Sequence, residues 1–146
     1  MSIFEDKEFE LCKIMTATVK RMRKKEDEFL SKYNLTHFHG VYIAHLYRFK
    51  ALTMNELTEK VGVDKANTSR VVKDLLNKGY IEKIGDSERK FSLKLTESGN
   101  KVALNFRKNV DNFMNIILSN FTEDEKNSMH HLLNKFLQGV NLSINS

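Results

Sequence analysis

Residues 53–96 read TMNELTEKVGVDKANTSRVVKDLLNKGYIEKIGDSERKFSLKLT, and the punctuation of this stretch decides the fold. Thr53 and Glu56 stand three apart, just ahead of apolar Leu57 and Val61. That is the spacing of a capping box, in which the threonine oxygen accepts an amide of the first turn and the glutamate reaches back to the threonine amide. A short helix is predicted to start there and to stop at Gly62, which tolerates the left-handed conformation of a helix end. After Val63, Asp64 offers a second N-cap, so two short helices are joined by a tight turn. The second is predicted to run to about Lys78 and to end at Gly79. Steps of 100° put Thr68, Val71, Val72, Leu75 and Leu76 on one side of it, and Ala66, Arg70, Lys73 and Asn77 on the other. One side is expected to pack, while the other is polar and basic. Tyr80 to Ile84 is rich in strand formers, residues 85–90 form a polar turn, and Phe91, Leu93 and Leu95 alternate with Ser92 and Lys94, as in a two-stranded hairpin.

On either side the period is helical. From about Phe4 to Tyr33, Leu11, Met15, Thr18, Met22 and Phe29 recur at helical spacing in one long amphipathic helix. Thr36 is the expected cap of a second helix whose apolar residues (Phe38, Val41, Tyr42, Ile43, Leu46) run nearly all round, as in a helix buried at the centre of a domain. Downstream, Thr96 is expected to cap a long helix carrying Val102, Phe106, Val110, Phe113, Ile117 and Phe121. Thr122 and Glu125 form another capping box before Met129, Leu132, Leu133, Phe136 and Val140. A chain of 146 residues has little core left to cover these terminal stripes, so they are expected to pack on a second copy. The sequence has no proline, no Gly/Ser-rich linker and no repeat. The expected architecture is therefore a single domain over 1–146, mainly α with a small β-hairpin wing. A winged helix-turn-helix lobe occupies about 36–95, and dimerisation helices occupy about 1–33 and 96–146.

Helix, tight turn, helix and basic hairpin form a unit whose second helix enters the DNA major groove while the hairpin reaches backbone or minor groove. Charge agrees with a polyanionic partner: 24 Lys and Arg against 19 Asp and Glu leave a net +5, and Cys12 to Lys25 holds six basic residues and no acid. Arg70 and Lys73 are placed to reach guanine or phosphate, Asn67 and Ser69 suit adenine edges or backbone, and Ala66 suits a thymine methyl. Lys65 belongs to the same polar face, whereas Thr68 falls on the packed side and is expected to be structural.

Other chemistries find no motif. His37 with His39 and the adjacent pair His130 and His131 lack the spacing that puts two metal ligands on one helix face, and Cys12 is the single cysteine, so neither a metal site, a disulfide nor a cofactor is expected. No phosphate loop, nucleophile elbow or dinucleotide fingerprint is present, so an enzyme is not expected. The charged N-terminus and the lack of a long apolar run point to a cytoplasmic protein with no membrane span.

Leu52-Thr53 through Gly62, Val63-Asp64-Lys65, Arg70-Val71-Val72, Leu75, Gly79-Tyr80-Ile81, Arg89 and Leu95-Thr96-Glu97-Ser98-Gly99 together resemble the MarR family of bacterial regulators over nearly the whole chain. That resemblance implies a homodimer joined by N- and C-terminal helices, bound to a near-palindromic operator on double-stranded DNA and usually repressing transcription. It also implies a wing arginine in the minor groove, supported by an aspartate. Arg89, with Lys90 beside it, and Asp86 hold comparable positions, although Ser87 and Glu88 replace the usual Asp-Arg, so either Asp86 or Glu88 can be the supporting acid. Family members respond to a small aromatic or anionic effector held between the dimerisation helices and the lobe, and this is the expected trigger. Two alternatives remain. Cys12 resembles the reactive cysteine of the hydroperoxide-sensing branch, but Thr16, Glu26 and His37 stand where tyrosines would hold its thiolate, and a small buried residue on the apolar side of the first helix is the plainer reading. A metal-responsive regulator would draw on His37, His39, Cys12 and Glu26.

Overall fold

A computed structural model describes residues 6–85 and 87–145, and the chain divides into two compact units, Met1–Val110 and Asp111–Ser146.

The first unit opens with helix α1 (Lys7–Leu30), capped by Asp6, whose Oδ1 accepts the Phe9 amide at 2.9 Å. The expected start near Phe4 lies outside the described residues, and the expected end at Tyr33 is corrected. The helix stops at Leu30, tightens into a 3₁₀ turn over Ser31–Tyr33 and reverses at Asn34, whose φ of 59° is a conformation that asparagine tolerates. Leu30 is the only buried residue of α1. Helix α2 (His37–Phe49) is capped as expected at Thr36, with an unanticipated partner, since the Thr36 amide donates to His39 Nδ1 at 3.0 Å. Its apolar ring is not buried all round. Tyr42, Ile43 and Leu46 are buried, but Phe38 is 59% exposed and Val41 is also open, because that side of the helix faces a groove described below.

Strand β1 (Ala51–Leu52) precedes helix α3 (Met54–Val61), where both bonds of the Thr53–Glu56 box are present, at 3.0 and 3.2 Å. Gly62 is left-handed as predicted (φ 78°), and Asp64 caps helix α4 (Lys65–Asn77) by accepting the Asn67 amide at 2.7 Å. Strands β2 (Ile81–Ile84) and β3 (Ser92–Leu95) form the hairpin, but β1 joins it, giving an antiparallel sheet in the order β1-β3-β2. The expected two-stranded sheet is therefore three-stranded. Two residues are too short to show strand alternation, and what recruits them is burial of Leu52, whose register partner is Leu93. Leu30, Ile43, Leu46, Leu57 and Leu75 of the helices and Leu93 of β3 are fully buried and form the centre of one core.

Helix α5 (Glu97–Leu118) begins in this unit. The Thr96 hydroxyl accepts the Gly99 amide at 3.1 Å and donates to the Gly79 carbonyl at 2.7 Å, locking the helix start to the end of the α4 turn. In the second unit the Thr122–Glu125 box opens helix α6 (Glu123–Asn145), along which Leu132, Leu133, Phe136 and Val140 are all exposed. Among the described residues no helix is long and apolar enough to cross a membrane.

Candidate nucleic-acid interface

Helix α4 buries Thr68, Val72 and Leu75 and turns Lys65, Ala66, Asn67, Ser69, Arg70 and Lys73 to the exterior. The division between the two faces is the one that helical spacing assigns. Thr68 is 0% exposed; its hydroxyl lies 3.2 Å from the Tyr42 hydroxyl and 3.2 Å from the Asp64 carbonyl. Thr68→Val would strip both partners of a buried hydrogen bond and is expected to cost about 1–3 kcal/mol, seen as a lower urea midpoint with an unchanged slope. An unaltered midpoint would show that the hydroxyl is dispensable. Asn67 is exposed on the same face as Arg70. Its amide group donates to Asp64 Oδ2 at 3.0 Å and its carbonyl oxygen accepts from Arg70 Nη2, so both ends are engaged within the helix and Asn67 tethers Arg70.

The wing meets the same helix. Lys65, Arg89 and Lys90 line one recess of about 660 Å³ together with Thr53 and Asn55 from the start of α3. Asn55 was not among the residues expected at the interface; its only sequence signal is its place in the first turn after the Thr53 cap. Ser87 Oγ accepts the Lys90 amide at 3.0 Å, and Gly85 (φ 144°) brings its backbone so close that a Cβ would sit 2.5 Å from the Lys90 carbonyl oxygen. Asp86, expected to support the wing, lies outside the described residues.

Between α1, α2 and the α3–α4 pair runs an open groove of about 950 Å³. Val19, Met22, Phe38, Val41, Val63 and Val71 make it apolar, and Arg23, Glu26, His37, His39, Arg70 and Asp74 border it. Asp27 Oδ1 accepts the His37 amide at 2.7 Å and lies 3.0 Å from its ring Nδ1, while His37 Nε2 is buried with no partner. Burial pushes the Glu26 carboxyl upward, opposed mainly by His37. For Asp27, burial acts upward too but the hydrogen bonds from His37 outweigh it and hold the carboxyl below its ordinary value. The bond from His39 Nε2, 2.6 Å from Asp74 Oδ2, does the same for Asp74, against some desolvation and with help from Lys78.

These two depressed carboxyls fix the sign of an acid dependence. A group with a lowered folded-state pKa adds stability that is complete above its unfolded value, about 3.9 for aspartate, and is lost as the pH falls through the lower folded value. Wild-type stability is therefore expected to drop below about pH 4 more steeply than that of Asp74→Asn, as measured by urea midpoints from pH 6 to pH 3. Parallel curves would remove the link to His39.

Cys12 corrects the plainer reading: it is exposed, because the N-terminal half of α1 carries no buried residue. Fourteen residues of continuous helix separate it from Glu26, about 21 Å at 1.5 Å per residue, so the two cannot share a site within one chain. Among the described residues no three His, Cys, Asp or Glu side chains converge as metal ligands would.

Comparison with known proteins agrees with this geometry. A sequence model of the MarR family matches residues 33–90, the span of the α2–α4 helices and of the wing as far as the turn before β3. An uncharacterized HTH-type transcriptional regulator of Bacillus subtilis, YybA, is 29% identical over 109 residues, 73% of each chain. The HTH-type transcriptional regulator BilQ of Clostridioides difficile is 30% identical over 98 residues, 66% of each. Among solved structures, MepR of S. aureus in its DNA complex superposes with a TM-score of 0.84 at 23% identity, over 92% of this chain and 99% of that one. With its capped helix pair, three-stranded winged sheet and long flanking helices, the chain belongs to the MarR family of winged helix-turn-helix transcriptional regulators.

Proposed function

We propose that the chain binds a pseudo-palindromic operator on double-stranded DNA as a homodimer, represses transcription there, and is released by a small aromatic or anionic effector. The observation that carries this reading is the exposed face of α4, where Lys65, Ala66, Asn67, Ser69, Arg70 and Lys73 stand free of the core beside Arg89 and Lys90 of the wing. Phosphate contacts from such cations release counterions, so the logarithm of the affinity for duplex DNA is expected to fall linearly with log salt. Fluorescence anisotropy with duplexes selected from a random pool tests this, and binding indifferent to salt would sink it.

Arg70→Ala is expected to weaken binding to the selected duplex by about 1–3 kcal/mol while barely changing binding to random DNA. Lys73→Ala and Arg89→Ala should weaken both alike and flatten the salt slope. Equal losses on both duplexes for Arg70→Ala would make it a phosphate contact only.

The groove supports the effector. Its walls are apolar, as a planar hydrocarbon ring requires, and Arg23 and Arg70 can meet a carboxylate. Because Arg70 belongs to both surfaces, an occupant there bears directly on DNA reading. Benzoate is expected to release the bound duplex and cyclohexylamine to leave it bound. Release by both or by neither would refute an anion-selective groove.

A further inference from the structure

We propose that His39 is a positioning residue for the recognition helix: by clasping Asp74 it sets the orientation of α4, and through it the aim of Arg70. The inference rests on the DNA-binding reading above. Both ring nitrogens of His39 are committed. Nδ1 faces the Thr36 amide at 3.0 Å, and since an amide N–H only donates, Nδ1 is the acceptor and the ring proton sits on Nε2. Nε2 then donates to Asp74 Oδ2 at 2.6 Å across 35 residues of chain, from a side chain only 13% exposed. A second tie runs beside it: Lys78 Nζ donates to the Asn34 carbonyl at 2.6 Å and lies 3.2 Å from Asp74 Oδ2. Asp74 thereby ties the C-terminal half of α4 to the first turn of α2, and Lys78, just past the end of α4, ties it to Asn34 in the segment that joins α1 to α2.

Direction is what these ties add. The apolar contacts of Val72 and Leu75 hold α4 against the core, but such contacts are non-directional and permit small rotations about the helix axis. A hydrogen bond between two fixed groups does not. Asp74 follows Arg70 by one turn and Asn67 by two, so all three share a face that borders the groove. Rotation allowed by an open clasp would swing Arg70 and its Asn67 tether together.

The test separates the clasp from the cap. In His39→Glu the new carboxylate can still accept the Thr36 amide, as glutamate does in capping boxes, but it repels Asp74. Asp74→Asn weakens the clasp without touching the cap, and His39→Glu combined with Asp74→Lys rebuilds it with reversed charge. Affinity for a duplex selected by the wild type is expected to fall about 5- to 100-fold in His39→Glu, less in Asp74→Asn, and to recover in the double variant. Amide exchange over residues 65–77 of the DNA-free protein reads the clasp independently: it should quicken in both single variants and slow again in the double. Unchanged exchange and affinity in both single variants overturn the inference, as does a double variant no better than its parents. If exchange responds as expected but the wild type selects no duplex, the clasp stands and the DNA-binding reading falls.

Discussion

Gly99→Ala is expected to unfold the winged lobe or leave it barely stable, although it adds one methyl group in a helix. Gly99 is buried in the first turn of α5, and a Cβ there would lie 2.0 Å from the Tyr80 carbonyl oxygen, 3.0 Å from the Tyr80 carbonyl carbon and 3.2 Å from Leu95 Cδ2. Backbone cannot step aside as a flexible side chain would. The Tyr80 carbonyl accepts the Thr96 amide at 3.0 Å, Thr96 Oγ1 accepts the Gly99 amide at 3.1 Å, and the same hydroxyl donates to the Gly79 carbonyl at 2.7 Å. Relieving the clash therefore means breaking the junction that holds β2, β3 and α5 together. The cost is expected to exceed about 4 kcal/mol, a large share of the 5–15 kcal/mol by which a domain of this kind is typically stable. Gly139→Ala is the control: nothing lies within 4 Å of its Cβ position, and in an exposed helix alanine is favoured by about 1 kcal/mol. Urea melts of the two variants should shift in opposite directions. A Gly99→Ala midpoint equal to wild type would mean that the close approach at Tyr80 does not exist.

The helix starts were legible because a cap is a local event. Thr53 with Glu56, Asp64, Thr96, and Thr122 with Glu125 each bind an amide within three residues, and such spacing is written in the chain. The packed and open faces of α4 were legible for the same reason, since helical period alone assigns them. Partnerships over distance were not. His37 finds Asp27 ten residues away and His39 finds Asp74 thirty-five away, and nothing at either histidine announces the carboxylate. Residues 51–52 are too few to alternate, so their pairing with β3 could come only from the folded sheet. On α2 the apolar ring of Phe38 and Val41 resembled a buried surface because a ligand-sized groove asks for the same residues as a core. The bonds that Asn67 makes to Asp64 and Arg70 within α4 were likewise not announced by its composition.

Replacing both Leu133 and Phe136 by glutamate is expected to turn the proposed dimer into a monomer and to lower operator affinity about 10²- to 10⁴-fold. Met129, Leu133, Phe136 and Val140 follow one another at steps of four, three and four, the spacing of a helix-pairing seam. Leu133 is 50% exposed and Phe136 37% exposed, although soluble monomers seldom leave so long an apolar row in water. In a two-fold dimer each substitution occurs twice, so four apolar side chains are lost, each with half or less of its surface still to bury, at about 0.5–1.5 kcal/mol each. That sum of roughly 2–6 kcal/mol is a substantial part of the roughly 8 kcal/mol that a micromolar dimer represents, and the cost of burying four carboxylates comes on top of it. A monomer can hold one half-site only, and it forfeits the intramolecular second contact that gives a dimer its avidity. Because neither residue belongs to the core of the first unit, that lobe should keep its fold, with intact chemical shifts for Leu57, Leu75 and Leu93. Sedimentation velocity at micromolar protein and anisotropy on full and half operators read the two consequences separately. A variant that still sediments as a dimer would place the interface elsewhere, and a monomer that binds the full operator as tightly as wild type would mean that DNA recognition does not need two-fold symmetry.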